Sequence, residues 1–98
     1  MQKNELNITL KFFKEKKFNE AEVYLNRLIK NNKDNTQYKN LLSIVLINKR
    51  KNDQAEKILK QILNDNPNYI DAIKNLANLY SDLGFYNKAE IYFKKALA

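Results

Sequence analysis

Ninety-eight residues, 44% of them apolar, are enough for one small domain and argue against wholesale disorder. There is no cysteine and no histidine, which removes a disulfide framework, thiolate chemistry and the commonest general base. A formal net charge of +7 favours solubility and loose attraction to acidic partners, and is neutral as to fold.

Gly84 and Pro67 are the only residues of their kinds, so turn chemistry for many short strands is missing and helices are expected. The stretch from Met1 to Phe13 lacks the apolar run of a signal peptide, and no run reaches transmembrane length. A soluble, cytoplasmic chain is the default expectation.

Six amphipathic segments follow in order, with apolar residues recurring at three- and four-residue steps. The first, 3–16, carries Ile8 and Phe12 as its core stripe. The second, 19–31, repeats Val23, Leu25, Leu28 and Ile29 and opens at Asn19, whose short side chain is suited to an N-cap. The third, 35–49, can be capped by Asp34 or Asn35. The fourth, 53–65, opens at Asp53 and carries Ile58, Leu59, Ile62 and Leu63. Pro67 must end that helix, and Asn68 can cap the fifth, 69–83. Gly84 suits a left-handed helix end, and Asn87 opens the sixth, 87–98. Connections of about three residues make sequential helices antiparallel neighbours.

The segments repeat every 34 residues. Ala21, Ala55 and Ala89 are each followed by an acid, Glu22, Glu56 and Glu90. The same register aligns Leu25, Leu59 and Phe93, then Leu28, Ile62 and Ala96, then Ile29, Leu63 and Leu97. Upstream it aligns Ile8, Leu42 and Leu76, then Phe12, Leu46 and Tyr80. A period of this length belongs to stacked repeats, in which no unit buries its apolar stripe alone. The three alanines leave room for two helices to approach, and Leu46, Leu59, Tyr80 and Phe93 are expected to fill the space around them. The three acids stand at the start of each second helix, where they are expected to complement the helix dipole.

In the last unit, Ala72, Leu76, Ala77, Tyr80, Gly84, Tyr86, Ala89, Phe93, Ala96 and Leu97 resemble a tetratricopeptide repeat in nearly every signature place. The middle unit keeps Leu42, Ser43, Leu46, Ala55, Leu59, Ile62, Leu63 and Pro67, and the first keeps Ile8, Thr9, Phe12, Phe18, Ala21, Leu25, Leu28 and Ile29. Lys16 and Arg50 stand where the pattern has glycine, and Lys33 stands where it has proline. The resemblance implies an all-α, right-handed solenoid of three repeats, about 2–35, 36–69 and 70–98, forming a single domain or part of a longer array. It also implies that the first helix of each repeat lines a concave face. The function it implies is a non-catalytic scaffold for protein–protein interaction.

By helical geometry the concave face then carries Lys3, Leu6, Leu10, Phe13 and Lys14 from the first helix. The third helix supplies Asn40, Ile44, Ile47 and Asn48, and the fifth supplies Asp71, Lys74, Asn78, Ser81 and Asp82. Leu6, Leu10 and Phe13 form a second apolar stripe that a single repeat does not need for packing. Facing Ile44 and Ile47, they predict a greasy floor at one end of the groove and a polar wall at the other. The competing expectation is a structural module whose apolar faces are covered by another copy or by flanking sequence. In the resembled family some members hold a carboxylate tail with Lys and Asn one helical turn apart. Lys74 and Asn78 have that spacing but lie in the last repeat, and Leu6 and Leu10 occupy the matching places of the first, so such a clamp is not expected.

Lys16, Lys17, Lys49, Arg50 and Lys51 fall at the turns within repeats one and two and share one edge of the solenoid. As a patch this edge could meet nucleic acid or an acidic protein. Cations at helix C-termini also satisfy the last carbonyls, and that reading is favoured. Asp82, Gly84 and Phe85 interrupt the stripe in the third repeat, so nucleic acid is not an expected partner. The remaining carboxylates are scattered; Asp71 and Asp82 share a helix, but eleven residues apart they sit about three turns from each other. No catalytic residue, metal ligand set or cofactor site is expected. At the other end, Leu79, Leu83, Tyr86 and Phe93 are expected to be partly exposed, so that the chain either pairs through this face or continues into a longer array.

Overall fold

The computed structural model describes residues 3–98, with side chains from Asn4 onward. Six helices are present, α1 (Lys3–Lys14), α2 (Phe18–Asn31), α3 (Thr36–Asn48), α4 (Asn52–Asp65), α5 (Ile70–Asp82) and α6 (Tyr86–Leu97), and there is no strand among the described residues. They form three antiparallel pairs, α1/α2, α3/α4 and α5/α6. α2 packs onto α3 and α4 onto α5, which joins the pairs into an α-solenoid. The continuous core holds Ala21, Leu25, Leu42, Leu46, Ala55, Leu59, Ala72, Leu76, Tyr80 and Ala89.

The turn inside each pair is closed by the same bond. Lys17 N–H donates to the Phe12 carbonyl at 2.9 Å, Lys51 N–H to Leu46 at 2.8 Å and Phe85 N–H to Tyr80 at 2.8 Å. The residue before each donor is left-handed: Lys16 at φ 57°, Arg50 at φ 63° and Gly84 at φ 84°. This six-to-one closure satisfies a helix-end carbonyl and asks for a left-handed residue just past the helix. Gly84 adopts that conformation freely. At Lys16 and Arg50 the Cβ meets the carbonyl, at a cost of about 1–2 kcal/mol each. The two units lacking glycine therefore keep the turn geometry and carry backbone strain instead.

These closures also displace the expected N-caps. Lys17, Lys51 and Phe85 occupy the cap positions of α2, α4 and α6, and none accepts a side-chain capping bond. Asn19, Asp53 and Asn87 lie inside the first turn, because the bond to the preceding helix brings the cap position two residues early. Tyr69, and not Asn68, precedes α5, again without a side-chain cap. Asn35 does cap α3, its Oδ1 accepting from Tyr38 N–H at 3.0 Å.

Small residues recur one place after the Ile8–Leu42–Leu76 register: Thr9, Ser43 and Ala77 are fully buried. Thr9 Oγ1 donates to the Glu5 carbonyl at 2.8 Å and Ser43 Oγ to the Asn40 carbonyl at 2.6 Å, so neither hydroxyl is left unpaired in the packed interface. Leu79, expected to be exposed, is buried. It belongs to the continuous core, and only Leu83, Tyr86 and Phe93 of that group remain open.

Candidate functional site

Among the concave residues of α1, Leu10 is exposed and Leu6 is half-buried, while Lys14 points into solvent. Phe13 is half-buried against the core, its ring 6.4 Å from that of Phe18. Lys3 lies outside the residues whose side chains are described. On α3, Ile44 and Ile47 are half-buried, Ile47 against the core. The apolar residues of α1 and α3 thus have part of their surface anchored and part open. On α5, Asp71, Lys74, Asn78 and Asp82 are exposed and Ser81 is half-buried, which makes this end polar.

Asn40 departs from the open arrangement. It is buried, and its Oδ1 accepts from Asn75 Nδ2 at 3.0 Å, which ties α3 to α5 across the repeat boundary. Asn48 Nδ2 bonds back to the Ile44 carbonyl at 2.9 Å on its own helix. The asparagine amides of α3 therefore hold the scaffold more than they face a partner. Asn75 was not singled out in the sequence because only the three-dimensional neighbourhood of Asn40 gives it a role.

Beside this surface, at the end where α3 and α5 turn, lies a cleft of about 360 Å³. Ile47, Leu79 and Leu83 form its apolar part, and Asn48, Arg50, Asn52 and Asp82 its polar rim. The periodicity puts Leu83 in register with Lys49 rather than with a core position, so no sequence signal marked this cleft.

The basic edge is partly neutralised. Lys49 and Lys51 both turn onto Glu22, Lys51 at 3.4 Å, and Lys17 pairs with Glu15 at 3.3 Å. Lys16 and Arg50 remain exposed. The periodic acids do not complement the helix dipoles as expected, since they lie beyond the first turn; two of them reach forward to the next pair instead. Glu22 on α2 takes Lys49 and Lys51, and Glu56 on α4 accepts the Tyr80 hydroxyl of α5 and pairs with Lys60 at 3.4 Å. Glu90 reaches only Lys94, four residues along its own helix, at 3.0 Å.

These ties shift the groups involved. The Lys49 ammonium holds the Glu22 carboxyl below its ordinary value against the opposing effect of burial, and the Tyr80 hydroxyl does the same for Glu56. Burial, reinforced by Glu56, pushes the Tyr80 phenol well up. For the two carboxylates the folded state resists protonation, so their contribution to stability is present above the unfolded value of about 4.3 and is lost as pH falls below it. For Tyr80 the folded state retains its proton, so that contribution is present below pH ~10 and fades above it. Urea unfolding followed from pH 7 to pH 3 should show a steep loss of stability below pH ~4.3. Glu22→Gln combined with Glu56→Gln should start from a lower plateau and flatten that loss. An unchanged slope would mean that the ties contribute nothing.

No helix among the described residues is long and apolar enough to cross a membrane, and no group of three metal-ligating side chains is assembled among them. A search of curated proteins returns no match. Solved structures do match. The second tetratricopeptide domain of Spaghetti (RPAP3), bound to the HSP90 peptide SRMEEVD, superposes with a TM-score of 0.82 at 24% identity, over 96% of this chain and 87% of that one. MamA AMB-1 matches at 0.76 and 26% identity over 90% of this chain, and MamA MSR-1 at 0.78 and 25% over 94%. The chain spans about half the length of these MamA structures, 52% and 53%. A family model described as "Tetratricopeptide repeat" matches residues 46–98, more than half of the sequence. Three helix pairs in one register, closed by one repeated turn, agree with that match, and the chain belongs to the tetratricopeptide repeat family.

Proposed function

We propose that this chain is a non-catalytic scaffold whose concave face docks one amphipathic helix or extended segment of a protein partner. The observation that carries the reading is the row Leu6, Leu10, Phe13, Ile44 and Ile47, whose surface the core does not use up. Two apolar stripes facing one trough accept side chains at i, i+4 or alternating spacing. Lys14 at one end and Lys74 and Asn78 at the other favour a segment with acids beside its apolar anchors. The fold likeness to a domain holding SRMEEVD supports a peptide-sized occupant. The chemistry here differs from a carboxylate clamp, since leucines stand at the first-helix positions where a clamp needs Lys and Asn.

The test is selection of peptides from a randomised amphipathic library on the 98-residue chain, with SRMEEVD as comparison probe. Selected peptides should carry two or three apolar anchors, and SRMEEVD should show no saturable binding. Each anchor contributes roughly 1.5–3 kcal/mol before association costs, so Leu10→Ser with Ile44→Ser should weaken the selected peptides by about 100-fold or more. Helical content should stay nearly unchanged. Unfolding of the double variant would mark these residues as core and end the groove reading.

A further inference from the structure

We propose that the edge of the solenoid between repeats two and three docks an extended segment of a protein partner. That segment carries two apolar anchors with an acid between them and a base beyond one anchor. Two clefts meet at this edge. One, of about 360 Å³, opens beside the concave face over Ile47, Leu79 and Leu83. The other, of about 480 Å³, reaches from Leu83 to Phe85. Arg50, Asn52 and Leu83 line both, so the two form one continuous channel. Its walls are the α3–α4 turn and the α5–α6 turn, between repeats that the chain itself supplies.

The 34-residue register accounts for the opening. Leu83 and Phe85 stand where the preceding repeat has Lys49 and Lys51. At the first boundary those lysines close onto Glu22, a contact that joins repeats one and two. At the second, Glu56 is taken by the Tyr80 hydroxyl and Lys60, and leucine and phenylalanine offer it no charge. Leu83 is left 43% exposed and Phe85 53%. Phe85 is nevertheless held in place, its ring packed edge-on to Tyr80 at 6.4 Å with Lys88 over it at 5.5 Å. Exposed apolar side chains gathered in a cleft mark a contact surface.

The charges specify the occupant. Arg50 and Asp82 both line the smaller cleft, and neither forms an ion pair among the described residues, nor do they pair with each other. An occupant therefore satisfies both only with an acid toward Arg50 and a base toward Asp82. Arg50 also lines the larger cleft and Asp82 does not, which puts the acid between the anchors and the base outside them. A guanidinium holds a carboxylate through two parallel hydrogen bonds. The Arg50 backbone is fixed for that task by its N–H bond to the Ile47 carbonyl at 3.0 Å. In the larger cleft Lys51, held by Glu22, and Asp53 offset one another, so the anchor there is selected by Leu83 and Phe85. A channel running through two clefts takes a segment of several residues rather than one small molecule.

The probes are two synthetic peptides of one composition, the first in the order apolar, acid, apolar, base and the second with acid and base exchanged. Titrated into the isotope-labelled 98-residue chain, the first should shift the amide resonances of Arg50, Asn52, Leu83 and Phe85 with saturation. It should bind about tenfold tighter than the second. Arg50→Glu with Asp82→Lys should reverse the preference. Arg50→Gly guards against a folding defect, because glycine relieves the left-handed backbone at φ 63°. Its urea midpoint should rise while the preference is lost. Leu10→Ser with Ile44→Ser should bind the first peptide as the wild type does, which separates this edge from the concave trough. Equal binding of the two peptides, shifts confined to the concave trough, or no shift at millimolar peptide would overturn the proposal.

Discussion

Leu59→Ala should destabilise the chain by about 3 kcal/mol, whereas Phe93→Ala at the same place in the next repeat should cost less than about 1 kcal/mol under monomeric conditions. The two residues occupy one register position. Leu59 is enclosed by its own pair and by α5, while Phe93 has only its own pair around it. Truncating a fully enclosed leucine removes its transfer free energy and leaves a cavity that a neighbour on each side prevents from collapsing. A half-open site relaxes and admits water, so little cavity cost remains. For a domain of this size total stability is on the order of 5–10 kcal/mol, and the first substitution removes a large share of it. Urea denaturation read by circular dichroism checks both values. Equal costs at the two sites would show that the α4–α5 boundary does not enclose Leu59 as the structure has it.

The helices were legible because periodicity and small-residue register act on the same length scale as the structure they specify. Ala21, Ala55 and Ala89 mark the close approach within each pair, and their 34-residue spacing fixes how the pairs follow one another. What the register could not convey was the ends. Ile8 reads as core because Leu42 and Leu76 are core, yet burial depends on a neighbour the sequence position does not contain. The caps failed for a related reason: Asn19, Asp53 and Asn87 have capping chemistry, but the turn bonds of Lys17, Lys51 and Phe85 to the preceding helix decide where the next helix starts.

The concave surface was legible in its apolar part and less so in its polar part. An apolar residue off the core stripe is visible from helical spacing, and of these Leu10 is exposed and Ile44 half-buried. Asparagine is ambiguous in sequence, since the same amide can greet a partner or tie two helices. Asn40 does the second because Asn75 stands opposite, and Asn78 is left open because nothing does. The cations divide likewise: Lys49 and Lys51 are drawn to Glu22 across a pair boundary, a contact between residues 27 and 29 positions apart that no helical spacing rule addresses.

Ala55→Leu should cost roughly 2–3 kcal/mol, the upper part of the range for overpacking, and more than Ala89→Leu. All three register alanines are buried, Ala21 and Ala55 fully and Ala89 nearly so, so local burial alone would rank them together. Their surroundings differ in what can move. Added methylenes push α3 and α4 apart, but α3 is held by α2 and α4 by α5, so the pair cannot open without tearing a boundary on one side. α6 has no further helix beyond it in this structure, so α5 and α6 can splay outward and accept a leucine at position 89 with less strain. Ala55→Ser, which changes volume little, serves as the control, because its hydroxyl can bond the carbonyl four residues back as Thr9 does. Urea midpoints of the four proteins order the effects. A ranking with Ala89→Leu the more damaging would mean that the terminal pair is held as firmly as the central one, and by something other than the pair boundaries.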